Sequence, residues 1–225
     1  MLKLIAFDWD DVITLGSTAG YLKCYHETML ELGIDLGLAE EQERIFSRWS
    51  QPHRREFEAL LAERLDLVDR ACQIYKQKLF GDTFVDSLSV NPGTIELLER
   101  LSQRYRLAVA TGMNPIILKE KIFPRFQIPP VFSQLLFGYD IIDPVQQKPG
   151  PYMLEEIMRR ESVLPTEMIY VGDANTDVQM ARNAGVTPVV VLTGHLNRAE
   201  AEALGVEKII ENVMDLESII HEWQS

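Results

Sequence analysis

Short apolar runs, each stopping at a turn or an acid, recur along most of this chain. They lie at residues 3–7, 107–110, 134–137, 168–171, 187–192 and 208–210. Runs of this kind, bounded by polar punctuation, read as buried strands. Between the later ones the apolar spacing changes to three and four, at 115–126, 151–160, 175–184 and 198–204, which predicts helices. Gly185 follows the third of these and fits a helix C-cap. Alternating strand and helix predict an α/β fold: a doubly wound parallel sheet with helices on both faces.

Residues 15–90 break this rhythm. They hold no convincing strand but four amphipathic stretches, at 17–32, 39–49, 52–65 and 67–80. Ser17 or Thr18 is the expected cap of the first, and Gly33 its end. The pattern predicts an inserted helical domain of about 75 residues, large enough to fold around a core of its own. Asn91-Pro92-Gly93 closes it with a turn into a helix at 94–104. The expected division is a core of residues 1–15 and 89–225 and a helical domain of residues 16–88. Near the end, the stripe Ile209, Ile210, Val213, Leu216, Ile219, Ile220 and Trp223 predicts a last strand and helix packed on the core.

The chemistry begins where the first strand stops. Leu4-Ile5-Ala6-Phe7 runs into Asp8-Trp9-Asp10-Asp11-Val12-Ile13, and open parallel sheets bind ligands at that strand end. Asp8 and Asp10 point the same way along an extended chain, and two like charges so close call for a cation or a proton between them. The pair fits a metal-assisted reaction; it also fits an acidic turn after a strand. Three further segments stand at strand ends or helix starts: Thr111-Gly112-Met113-Asn114, Lys148-Pro149-Gly150-Pro151, and Gly172-Asp173 with Asp177 four residues on. Singly, Thr111 reads as a helix cap, Lys148 as a solvated lysine and Asp177 as an acid at a helix N-terminus. Together they offer a hydroxyl, a lysine and four acids to one sheet edge.

Charge and composition narrow the partners. A net charge of −12 opposes nucleic acid and anionic membranes. A phosphorylated metabolite stays compatible, because a divalent cation and one lysine reverse the sign locally. The run 186–192 is too short to span a bilayer, and no signal-peptide pattern is present. Cys24 and Cys72 show neither paired nor metal-type spacing, as expected of reduced thiols in a cytoplasmic protein. His26, His53, His195 and His221 form no metal-like cluster; His195, after Thr193-Gly194, either borders the site or is a plain loop histidine, and the second reading is favoured. Trp9 is expected to pack near the site without acting in it.

The ordered set of motifs resembles the haloacid dehalogenase superfamily, in its phosphoglycolate phosphatase and β-phosphoglucomutase-like branch. Asp8-x-Asp10-x-Val12-Ile13 is similar to the first family motif, and Thr111 stands at the second. Lys148 with Pro149 and Pro151 resembles the third, and Gly172-Asp173-x-x-x-Asp177 the fourth. The helical insert stands where the family's α-helical cap belongs. The resemblance implies a magnesium-dependent phosphatase that hydrolyses a small phosphorylated metabolite through an aspartyl-phosphate. Asp8 would be the nucleophile and Asp10 the general acid, then base. Mg2+ would be held by Asp8, the Asp10 carbonyl and Asp173, with Asp177 a further ligand or a support of the shell. Thr111, the Gly112 amide and Lys148 would take the phosphoryl oxygens.

Three positions depart from the family pattern. Asp11 stands where glycine is usual, Gly112 where many relatives have asparagine, and Gly16-Ser17 where an acid often follows the first motif. Substrate choice is expected from the insert. Arg48, Trp49, Ser50, Gln51 and Pro52 join two predicted helices there, within a basic stretch of Arg44, Arg48, His53, Arg54 and Arg55. Glu40, Arg44 and Arg48, spaced by four, also fit a salt-bridged row. Arg48 and His53 are the candidate specificity residues, suited to a second anionic group on the substrate. A sugar phosphomutase is the nearest alternative, although its cap histidine and lysine are not evident in Ser17-Thr18-Ala19-Gly20-Tyr21. Asp10, Asp173 and Asp177 speak against a dehalogenase, and the insert against a receiver-like phosphorylation switch. A monomer or homodimer is expected.

Overall fold

The computed structural model describes residues 1–49 and 52–221. Ser50 and Gln51 of the basic loop, and Trp223 of the final stripe, lie outside the described residues. Six strands form one sheet: β1 (Leu4–Phe7), β2 (Arg106–Thr111), β3 (Phe132–Phe137), β4 (Met168–Gly172), β5 (Thr187–Val191) and β6 (Lys208–Ile210). All pair in parallel, in the order β3-β2-β1-β4-β5-β6. The α/β class and every strand expected from the sequence are present. The chain starts in the middle of the sheet, builds β2 and β3 to one side, then returns to add β4, β5 and β6 on the other. That reversal makes the C-terminal ends of β1 and β4 the switch point, where the following loops diverge and leave a crevice.

β1 is apolar at all four positions because both its faces are covered. On one face Leu4, Ala6, Ala108, Ala110, Met168 and Tyr170 are buried against the helices Tyr152–Glu161 and Asn175–Asn183. The register sets Ala6 between Ala108 and Tyr170. Three small side chains thus leave room on that face for the tyrosine to extend across β1.

Two local details differ from expectation. The helix Ser17–Glu31 begins behind Gly16 with no side-chain cap, so neither Ser17 nor Thr18 caps it. The helix expected from Pro115 to Phe126 is present over 115–125, but its middle, Ile117–Ile122, is wound as a wide π-type segment before Phe123–Arg125. Pro124 has no N–H to bond the carbonyl four residues back and its ring crowds that carbonyl, which favours the wider turn.

The chain forms two compact units: Met1–Leu15 with Ser89–Ser225, and Gly16–Leu88. Leu15 and Ser89 exchange both backbone hydrogen bonds, at 2.8 and 3.0 Å, so the first unit closes where the second leaves it. Among the described residues no helix is long and apolar enough to cross a membrane.

The second unit consists of helices, chiefly Ser17–Glu31, Leu38–Phe46, His53–Leu60 and Val68–Phe80. At its centre Tyr25 stacks on Tyr75 with ring centroids 4.5 Å apart and packs on Phe57. The Tyr25 hydroxyl donates to the buried Glu56 carboxylate. Burial pushes the Glu56 carboxyl up to about 7, with the Tyr25 hydroxyl acting in the opposite direction.

An acid raised in this way keeps its proton in the folded state after the unfolded chain has lost it. Its contribution to stability therefore falls as pH rises from about 4.5 to about 7, and is level beyond. Glu56→Gln should remove that slope. Its thermal midpoint should exceed the wild-type value at about pH 8 and match it near about pH 4, as read by calorimetry.

Candidate active site

The Asp8 amide donates to the Val171 carbonyl of β4 at 2.8 Å, so sheet pairing continues into the acid and fixes its backbone. The Trp9 carbonyl then accepts from Val12, Ile13 and Thr14, which winds the chain into a tight turn carrying Asp10 and Asp11. Trp9 points into the core, fully buried against Phe123 and Phe132. Asp11 sits at φ 55°, in the left-handed region that asparagine and aspartate enter more readily than most residues. The Thr193 hydroxyl donates to its carbonyl. The turn accommodates Asp11 without glycine.

β4 ends at Gly172 and Asp173, and Asp177 lies in the first turn of the helix Asn175–Asn183. Asp177 Oδ2 accepts the amides of Asp173 and Ala174, each at 3.1 Å. Its Oδ1 accepts from Lys148 Nζ at 2.7 Å and from the Tyr170 hydroxyl at 3.3 Å. Lys148 Nζ also stands 3.0 Å from Asp8 Oδ1, as an ion pair. Asp173 Oδ2 accepts the His195 amide at 2.9 Å, and the Asp173 carbonyl accepts that of Leu196. Two glycines permit these approaches. A Cβ on Gly172 would overlap the Asp177 side chain, and one on Gly194 would overlap Asp173 Oδ2.

The structure thus brings Asp8, Lys148, Asp173 and Asp177 together at the switch point. Asp10 is half-buried in the turn after Asp8, and its backbone bridges to Thr14. Thr111 and Gly112 stand at the end of β2, the strand beside β1. The Thr111 hydroxyl accepts the Met113 amide at 3.2 Å in a turn ahead of the next helix, which it does not cap; Asn114 accepts the amide of Ile116 in that helix's first turn. Arg48 and His53 belong to the second unit. Arg48 is exposed; His53 is half-buried and stacks on Tyr75, and burial, then Lys76, lowers its pKa. Arg44, Arg54 and Arg55 are engaged with Glu40, with Asp69 and Glu58, and with Glu58 respectively. Sequence reasoning passed over Tyr170 and the backbone of Gly194 and His195. The small residues at Ala6, Ala108 and Ala110, opposite a tyrosine two residues before Gly172, were the available signal.

The charges do not balance. Asp8, Asp173 and Asp177 are all buried, with carboxylate oxygens within 4.8 Å of one another, and Lys148 is the cation bonded among them. Burial, then Asp177 and Asp8, pushes the Asp173 carboxyl up to about 9. Burial raises Asp8 as well, against the pull of Lys148. Burial works to discharge Lys148, but Asp177 and Asp8 outweigh it and hold its pKa above the ordinary value. When all three are ionised, the carboxylates exceed the one ammonium by two negative charges, which a divalent cation cancels. The donors are hard oxygens, the kind magnesium prefers, and they lie within 4.8 Å of one another. The residues present fit such an ion.

Gly194→Ala should displace Asp173 and weaken divalent-cation binding by about tenfold or more, the usual scale for a disturbed ligand support. Titration calorimetry with Mg2+ on the folded variant reads this directly; an unchanged affinity would mean that Asp173 is not a ligand.

Comparison with known proteins places this geometry. Residues 2–185 match the family model of the haloacid dehalogenase-like hydrolases. A phosphorylated carbohydrates phosphatase of Thermotoga maritima is 25% identical over 205 residues, covering 89% of each chain. A phosphoglycolate phosphatase of Pseudomonas putida is 26% identical over 223 residues, covering 95% of this chain and 78% of that one. Among solved structures, a haloacid dehalogenase-like family hydrolase of Streptococcus pneumoniae superposes with a TM-score of 0.75 at 20% identity, covering 97% and 98% of the two chains. The chain belongs to the haloacid dehalogenase-like hydrolases.

Proposed function

We propose that this protein is a magnesium-dependent phosphatase that hydrolyses a small phosphorylated metabolite in the cytoplasm. The observation that carries the reading is the meeting of Asp8 with Lys148, Asp173 and Asp177 at the switch point of the sheet. The relatives named as phosphatases of phosphoglycolate and phosphorylated carbohydrates support the substrate class. Unpaired Cys24 and Cys72 agree with a reducing compartment.

In this reading an Asp8 oxygen attacks the phosphorus as the bond to the leaving alcohol breaks, giving an aspartyl-phosphate. Asp10 delivers its proton to the departing oxygen. The resulting Asp10 carboxylate then takes a proton from water, whose oxygen displaces Asp8 and releases inorganic phosphate. Lys148 neutralises phosphoryl oxygens as a point charge, with Thr111 and the Gly112 amide as further donors. Asp8, the Asp10 carbonyl and Asp173 would hold Mg2+, while Asp177, its oxygens engaged by two amides and Lys148, would keep the shell in place. When bound, the ion offsets the negative charge that would otherwise keep an anionic phosphate from Asp8. Arg48, exposed on the second unit, is the stronger candidate for selecting a second anionic group; the lowered pKa of His53 makes it the weaker.

Turnover of aryl and alkyl phosphates tests the reading. Asp8→Asn should abolish both, because an amide is a poor nucleophile and a weaker ligand. Asp10→Asn should cost about a hundredfold with a sugar phosphate and far less with p-nitrophenyl phosphate, whose leaving group needs little protonation. Full turnover in excess EDTA, with no metal in elemental analysis, would sink the metal-dependent mechanism.

A further inference from the structure

Tyr170 stands in β4 on the sheet face it shares with Ala6, Ala108 and Ala110. With only methyl groups in its way it reaches past β1, and its hydroxyl meets the Ala110 carbonyl at 2.8 Å, beside Thr111. Asp177 Oδ1 lies 3.3 Å from the same hydroxyl, and Lys148 Nζ sits 5.5 Å over the ring. One phenol therefore touches three separate segments that carry the site.

We infer that Tyr170 is a positioning residue for the cation shell and for the phosphate-binding lysine: its hydroxyl steadies the Asp177 carboxylate and its ring supports the Lys148 ammonium. The inference rests on the reading of this cluster as a magnesium and phosphoryl site. The two amides on Asp177 grip only Oδ2; Oδ1 is held by Lys148 and Tyr170. Lys148 is also drawn to Asp8 and, in turnover, to a phosphoryl oxygen. The one phenolic proton is shared between the Ala110 carbonyl at 2.8 Å and Oδ1 at 3.3 Å, so Tyr170 ties the carboxylate to the end of β2 by a three-centre contact that the substrate does not compete for. Its ring, beneath the ammonium, adds a cation–π contact that strengthens as water leaves.

Two substitutions separate the hydroxyl from the ring. Tyr170→Phe keeps the ring and nearly all the packing, and should weaken Mg2+ binding by roughly tenfold in titration calorimetry. At saturating Mg2+ it should leave the KM for p-nitrophenyl phosphate within about twofold, because Lys148 keeps its support. Tyr170→Leu removes both groups and should raise that KM several-fold as well. Thermal unfolding on the same samples confirms that each variant is folded. A lowered midpoint with wild-type Mg2+ affinity in Tyr170→Phe would reduce Tyr170 to core packing and overturn the inference alone. Absence of Mg2+ binding by the wild-type protein would instead overturn the metal reading and this inference with it.

Discussion

The crowding of three buried carboxylates around one lysine is the constraint on which the rest of this protein depends. In isolation it is unfavourable, since burial and mutual repulsion favour protonation. The fold tolerates it by spending backbone donors on two of the acids: the Asp173 and Ala174 amides on Asp177, and the His195 amide on Asp173. The first two come from a strand end and a helix start and the third from the loop after β5, places where amides lack secondary-structure partners. The same features that end β4 and begin the next helix therefore hold the charge. A parallel sheet that reverses direction between β1 and β4 supplies such ends side by side.

Much of the sheet was legible because its strands are buried on both faces. Leu4–Phe7 and Met168–Gly172 read as unbroken apolar runs, and both ends are marked by an acid or glycine. Helices were legible where apolar spacing and polar faces agreed, as at Asn175–Asn183. The failures are local. At Ile117–Ile122 the periodicity is helical, but one missing N–H at Pro124 changes the hydrogen-bond pattern without altering which residues face inward. At Ser17 the side chain suits a cap, yet the chain turns at Gly16, one residue earlier.

The candidate site was legible where acids stand at strand ends, as with Asp8 and Asp173, and where a lysine stands ahead of a helix, as with Lys148. Its supports were not. A backbone amide such as that of His195 carries no residue signature, and Gly194 shows its importance only when Asp173 lies against it. Tyr170 looks like any core aromatic until the alanines across the sheet reveal where its hydroxyl goes. Charge in the second unit was legible as composition and not as availability: three of its clustered arginines are paired with carboxylates.

The rung between Leu15 and Ser89 has a consequence for how such a protein changes over time. The chain departs from the first unit and re-enters it across a single pair of hydrogen bonds. To the sheet, everything between them is one long excursion whose closure is already fixed, and the entropic cost of such a loop grows only slowly with its length. Helices there can be lengthened, shortened or exchanged wholesale while the two ends stay in register. The acids at the strand ends and the inserted helices are thus free to diverge at different rates within one gene.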